Sequence, residues 1–123
     1  MNGYMDTVVE RILAPRRIPV LSTLPPNLLD AEHAEAVFER NRVLLQLADK
    51  RRIPVWNYWR ALRDLLNQGM SPDGLHPSIC CPDGGTAVFT AEGLQHGFSM
   101  RNLTALLVLD EVYSVVLSET FQE

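Results

Sequence analysis

Arg51-Arg52-Ile53-Pro54-Val55-Trp56-Asn57-Tyr58 is the stretch on which the fold turns. A compact apolar run bounded by arginines on one side and a polar Asn on the other reads as a buried β-strand. Its proline stands at the second position, where a missing N–H donor is best tolerated. The same grammar occurs once before, in Arg16-Arg17-Ile18-Pro19-Val20-Leu21-Ser22-Thr23, closed by Pro25-Pro26. Between the two runs lies helical sequence. Asp30 offers an N-cap, Glu32 suits the first turn, and Ala34, Val37, Phe38, Asn41, Leu44, Leu45 and Ala48 mark one side of a long helix. Lys50-Arg51-Arg52 suits that helix's negative end. Two strands joined by a crossover helix specify a parallel α/β arrangement.

Working outward, Met5, Val8, Val9, Ile12 and Leu13 form one apolar helical face that must stop by Pro15. After the second strand, Trp59, Leu62, Leu65 and Leu66 continue at helical spacing to Gln68, with Gly69 as the stop. From Gly69 to Gly97 periodicity disappears. That connection holds six of the seven glycines and is far longer than the median of ~4–6 residues, as functional loops are. From Met100 to Phe121, Leu103, Leu106, Leu107, Leu109, Val112, Val115, Val116 and Leu117 cover most of a helix surface, which predicts burial on several sides.

The chain has 123 residues, enough for one domain, since domains commonly run ~100–150 residues. Its apolar fraction of 46% and charged fraction of 21% are those of a globular protein rather than a disordered one. Eleven basic and fifteen acidic residues give a net charge of −4, which argues against general nucleic-acid binding. Asp110 and Glu111 interrupt the most apolar stretch, so no membrane span is expected. No signal peptide is legible at Met1–Asp6, and the compartment stays open. Adjacent Cys80 and Cys81 predict two free thiols, because a bridge between neighbours is strained.

The sheet does not balance. Parallel sheets are covered on both faces and commonly have ~4–6 strands, whereas two are visible here. Two strands with four apolar helices suggest part of a larger sheet, completed by further sequence or by another chain.

Chemistry concentrates in Ser71-Pro72-Asp73-Gly74-Leu75-His76-Pro77-Ser78. An Asp three residues before a His, with Gly74 allowing a tight bend, can bring carboxylate and imidazole together. In a serine hydrolase such a pair supplies the orienting carboxylate and the general base. A Pro-Asp-Gly turn beside an incidental surface His explains the same residues without chemistry.

Here the sequence resembles the SGNH, or GDSL-type, esterase and lipase family, whose final block is D-x-x-H, commonly followed by Pro. Pro19–Pro26 is similar to that family's penultimate core strand and exit loop, Asn41 to an Asn of its following helix, and Ile53–Tyr58 to its last strand. Spacing and order agree from about Tyr4 to Phe121. The resemblance implies the C-terminal part of a flavodoxin-like three-layer α/β/α fold, a single partial domain over residues 1–123. It implies catalytic roles for Asp73 and His76, no cofactor or metal, and an ester or acylated small molecule as substrate of the complete enzyme. Members of that family are often secreted.

The departures are as informative. The family's nucleophilic Ser block and its oxyanion-hole Gly and Asn blocks have no counterpart, and Asn2-Gly3 is at best a remnant. Ser22, Ser71, Ser78 and Ser99 read as turn and cap serines, because none lies in a strand-to-helix elbow. A base without nucleophile and oxyanion donors has nothing to activate, so the chain alone is not expected to turn over esters. The alternative is a non-catalytic remnant or interaction module, a homo-oligomer or the partner of a missing N-terminal half.

Weaker candidates remain. Zinc held by His76, Cys80, Cys81 and His96 lacks C-x-x-C spacing. His33 reads as a solvated first-turn residue, and Asp83-Gly84-Gly85 lacks a phosphate-loop pattern. Trp56, Tyr58 and Trp59 cluster where open sheets place ligands, with core packing the competing role for at least two. Met70, Leu75, Phe89 and Phe98 could line an acyl pocket or anchor the loop.

Overall fold

The computed structural model describes residues 2–120. Four α-helices surround a two-stranded parallel sheet: α1 (Asn2–Leu13), β1 (Leu21–Ser22), α2 (Ala31–Arg51), β2 (Val55–Trp56), α3 (Tyr58–Arg63) and α4 (Gly97–Thr120). Short 3₁₀ turns cover Leu66–Gly69 and Gly93–Gln95. The α/β class expected from the two apolar runs is present. Among the described residues no helix is long and apolar enough to cross a membrane.

Leu21 stands opposite Val55 and Ser22 opposite Trp56. Ladder bonds run from Leu21 N–H to the Pro54 carbonyl at 3.1 Å and from Thr23 N–H to the Trp56 carbonyl at 3.1 Å. The six-residue runs read from sequence thus shrink to two-residue strands. Pro19 and Pro54 cannot donate, which starves the ladder at its entrance. In a parallel pair, alternate residues face opposite edges, so Ser22 N–H points away from β2.

α2 follows its sequence signals closely. The Asp30 carboxylate accepts from His33 N–H at the N-cap, and Arg52 closes the helix in the left-handed region at φ 53. Its buried residues are Val37, Asn41, Leu44, Leu47 and Ala48. Ala34, Phe38 and Leu45, expected on the inner side, are exposed instead. Leu47 takes the inner place and packs with Val9, Leu21, Ala48 and Ile53 in one core cluster. Asp6 on α1 holds Arg51 Nε at 2.6 Å and Lys50 Nζ at 3.3 Å, which ties α1 to the end of α2. Arg51 lowers the Asp6 pKa through that bond.

The helix expected over Trp59–Gln68 stops at Arg63: Leu65 is already extended (φ −82, ψ 162), and Asn67 (φ 46), Gln68 (φ 52) and Gly69 (φ 69) follow in left-handed conformations. The short α3 places the following loop near the carboxyl ends of the strands. Tyr58, Leu62 and Met70 form a second core cluster, packed by Leu28, Trp56, Leu65 and Met100. Burial pushes the Tyr58 hydroxyl up to about 12, and it donates to the Gly97 carbonyl at 3.2 Å.

Two further expectations are overturned. Cys80 and Cys81 are disulfide-bonded to each other rather than free. They open a tight hairpin in which Cys80 and Gly85 exchange backbone bonds, with Cys81 at φ 68. The closing helix is not buried on several sides: Leu106, Leu107, Leu109, Tyr113 and Val115 on α4 are each more than half exposed. The two-stranded sheet is too narrow to cover it. Phe121, read as that helix's end, lies outside the described residues.

Candidate functional site

The Asp73–His76 loop is held at both ends. Met70 bridges Pro77, and Ser78 N–H and Oγ both donate to the Gly69 carbonyl, at 2.8 and 3.1 Å. Midway, Leu28 N–H donates to the Gly74 carbonyl at 2.8 Å. Leu28 lies in the segment leaving β1, so the loop docks on the carboxyl-end side of the sheet, where open α/β sheets present ligands. Gly74 itself sits at φ 71, with an ideal Cβ position 3.1 Å from the Leu28 backbone. Glycine suits both the turn and the close approach.

Asp73 and His76 meet as their spacing predicts. His76 Nδ1 lies 2.7 Å from Asp73 Oδ2. Asp73 Oδ1 accepts from Ser71 Oγ at 2.6 Å, Leu75 N–H at 2.9 Å and His76 N–H at 3.0 Å. The His76 N–H, then the Ser71 hydroxyl and the His76 ring, hold the Asp73 carboxyl well below the usual carboxylate range. An ionised carboxylate can only accept, so Nδ1 carries the ring proton facing it. Nε2 meets no partner among the described residues, and the His76 side chain is 70% exposed. The arrangement orients an imidazole with its free nitrogen toward solvent, as a general base requires.

Serines do not complete it. Ser71 orients Asp73, Ser78 braces Gly69, Ser99 accepts from Val88 N–H at 3.1 Å, and Ser22 donates to the Thr23 carbonyl at 2.9 Å. No serine hydroxyl bonds the His76 ring among the described residues. Met70, Leu66 and Ile79 line a cavity of about 330 Å³ that also reaches Ser71, but Leu75, Phe89 and Phe98 do not line it. No group of three His, Cys, Asp or Glu side chains suited to a metal ion occurs among the described residues.

A second D-x-x-H, Asp30–His33, makes nearly the same contact, with His33 Nδ1 2.8 Å from Asp30 Oδ1. It arises from an ordinary helix N-cap on an exposed surface. Close Asp–His pairing is therefore a consequence of the spacing. What separates Asp73–His76 is its place on a pinned loop beside the strand ends.

Polar side chains at those strand ends were only partly legible. Asn41 is buried and clamps Leu24, accepting from its N–H at 2.7 Å and donating to its carbonyl at 3.0 Å. Thr23 Oγ1 donates to Asn57 Oδ1 at 3.3 Å and accepts from Trp59 N–H at 2.9 Å. Trp56 Nε1 donates to Thr104 Oγ1 at 2.9 Å, and the Arg101 guanidinium lies over its ring. Tyr58 is core and Trp59 stacks edge-on with Phe38. No protein-family model, curated protein or solved structure matches this chain.

The Asp73 network has a direct signature. A carboxyl whose folded pKa is depressed adds stability that is complete above its unfolded value of about 3.9 and is lost as pH falls toward the folded value. In carboxyl-carbon NMR, Asp73 should stay ionised well below pH ~3.9, and Ser71→Ala should move its midpoint upward. A wild-type midpoint at or above that ordinary value would contradict the network.

Proposed function

We propose that this chain supplies the Asp–His pair of an SGNH-type serine ester hydrolase, with His76 as general base and Asp73 as its orienter. The observation that carries the reading is the pinned loop at the carboxyl ends of parallel strands, presenting His76 Nε2 free while Asp73 fixes Nδ1. Attack needs a nucleophilic hydroxyl against Nε2 and N–H donors for the developing oxyanion. Both come from polypeptide that completes the sheet along the free edge of β1. The substrate is an ester or acylated small molecule.

The test is hydrolysis of p-nitrophenyl acetate and butyrate. The chain alone should show no turnover above buffer, and a version extended by the coding sequence preceding it should show turnover. His76→Ala should lower that turnover by about 10²–10⁴-fold, the usual contribution of general acid–base catalysis. Turnover in the extended version that is indifferent to His76 would remove the proposal.

The exposed apolar surface of α4 favours a second reading, an interaction module that pairs with another copy of itself. Contiguous apolar surface of this kind marks an interface. Light scattering after size exclusion distinguishes them: a stable dimer without esterase activity in either version supports the module, and a monomer contradicts it.

A further inference from the structure

Beside the strand ends, residues of α2 and α3 line an open recess of about 280 Å³, with Arg42, Arg60 and Arg63 among its walls. No Asp or Glu lines it, although acids outnumber bases in the chain by fifteen to eleven. Arg42 donates from Nε and one terminal nitrogen to Glu39, at 3.2 and 2.9 Å. Arg63 reaches Asp64 only at 3.4 Å, and the Arg60 guanidinium meets no carboxylate among the described residues. Each guanidinium has five N–H donors, so most of the N–H groups of these three arginines are not taken by carboxylates.

The remaining surfaces define what else the occupant must carry. Phe38 and Trp59 form an edge-on wall, with centroids 6.4 Å apart and planes at 67°. Phe38 and Leu45 are the large apolar residues of α2 that stand exposed. The polar floor is largely engaged: Thr23 bonds Asn57 Oδ1 and the Trp59 N–H, Asn41 clamps Leu24, and only the Asn57 amide nitrogen keeps its donors among the described residues. Free donors are therefore guanidiniums and the Asn57 amide, and free contact area is aromatic and aliphatic. Thr23 and Asn57 directly follow the two strands, so the recess lies where open α/β sheets hold ligands.

From this geometry we infer that the recess binds a small organic oxyanion, a phosphate monoester or carboxylate borne on a flat apolar group. The oxyanion takes the Arg60 fork, as guanidinium geometry favours, while Arg42, whose Nε and one terminal nitrogen are held by Glu39, offers only its remaining terminal N–H groups. The ring lies against Phe38 and Trp59. Its volume, at the small end of ligand pockets of ~300–1,000 Å³, limits the body to one or two rings. The site is independent of Asp73–His76.

The probes are phenyl phosphate, benzoate, inorganic phosphate and benzyl alcohol, titrated into the full chain at low salt with amide and Trp59 indole shifts as readout. Phenyl phosphate should saturate and bind about tenfold more tightly than inorganic phosphate, benzoate should bind more weakly, and benzyl alcohol should not saturate. Arg60→Gln should weaken phenyl phosphate by about tenfold or more, as expected for losing a charge-assisted pair, while Arg17→Gln, outside the recess, leaves it unchanged. All three arginines are exposed, so these variants keep the fold. No saturation by phenyl phosphate, equal affinity for inorganic phosphate, or indifference to Arg60→Gln would each overturn the site.

Discussion

Gly97→Ala lowers the unfolding free energy by about 3 kcal/mol, the upper end of the usual overpacking range, and the melting temperature by about 10 °C. Gly97 begins α4 where it crosses the Gly69 turn. A Cβ at Gly97 would fall on the Gly69 carbonyl and lie 2.9 Å from Pro77 Cβ. Neither can retreat. The Gly69 carbonyl holds Ser78 through two bonds, and a Cβ position on Gly69 is itself only 2.8 Å from Leu62 Cδ2. Backbone meets backbone, so relief must come from moving α4 off the loop. Gly3→Ala is the control, because nothing lies within 4 Å of its Cβ position. In α1 it should be neutral or stabilising by about 0.5–1 kcal/mol, since alanine loses less backbone entropy in a helix. Thermal and urea unfolding of both variants measure the difference. Gly97→Ala within about 0.5 kcal/mol of wild type would mean the crossing is looser than described.

That crossing shows why part of the fold was legible in sequence and part was not. α2 announces itself locally: Asp30 caps it, Lys50 and Arg51 close it, and a 3.6-residue period fills the interval. The end of α3 is different. Nothing between Asp64 and Gln68 forbids a helix, yet the chain is extended at Leu65 and left-handed at Asn67 and Gln68, and Gly69 then meets Gly97, twenty-eight positions away in sequence. Strand length failed for a related reason. Val20 and Ile18 have strand character, but a ladder needs a neighbour, and β2 offers Pro54 opposite that end. For α4 the apolar pattern was read correctly and its burial was not, because periodicity reports what a surface is made of and not what covers it.

The candidate site divides along the same line. Asp73 and His76 are three residues apart, so turn geometry alone joins them, as Asp30 and His33 confirm. Ser71 as an orienter was within reach of the same logic, since its hydroxyl is two residues from the carboxylate it serves. Arg42, Arg60 and Arg63 come from two helices and share no spacing. Only the meeting of α2 and α3 at Phe38 and Trp59 brings them around one recess. The Cys80–Cys81 bond was discounted on the strain of a neighbour bridge, yet the Cys81 left-handed turn and the hairpin to Gly85 bring the two sulfurs together.

Leu62→Ala should cost about 3–4 kcal/mol, within the ~2–5 kcal/mol seen for truncating buried leucines. Leu62 is fully buried, in a cluster with Tyr58 and Met70 and against Leu28. A cavity there cannot be filled cheaply. Gly69 on one side is fixed by the α4 crossing, and Tyr58 on another is tied through its hydroxyl to Gly97. Leu66→Ala, in a residue 73% exposed, should change stability by less than about 0.5 kcal/mol. The same cluster supports the His76 loop, because Leu28 carries the bond to Gly74 and Met70 the bridge to Pro77. Leu62→Ala should therefore speed exchange of the Leu28 amide beyond the change at α2's buried Leu44, which belongs to neither contact. Equal acceleration at both would show that the loop opens only with global unfolding, and that Leu62 stabilises the fold without specifically holding Asp73 and His76 at the strand ends.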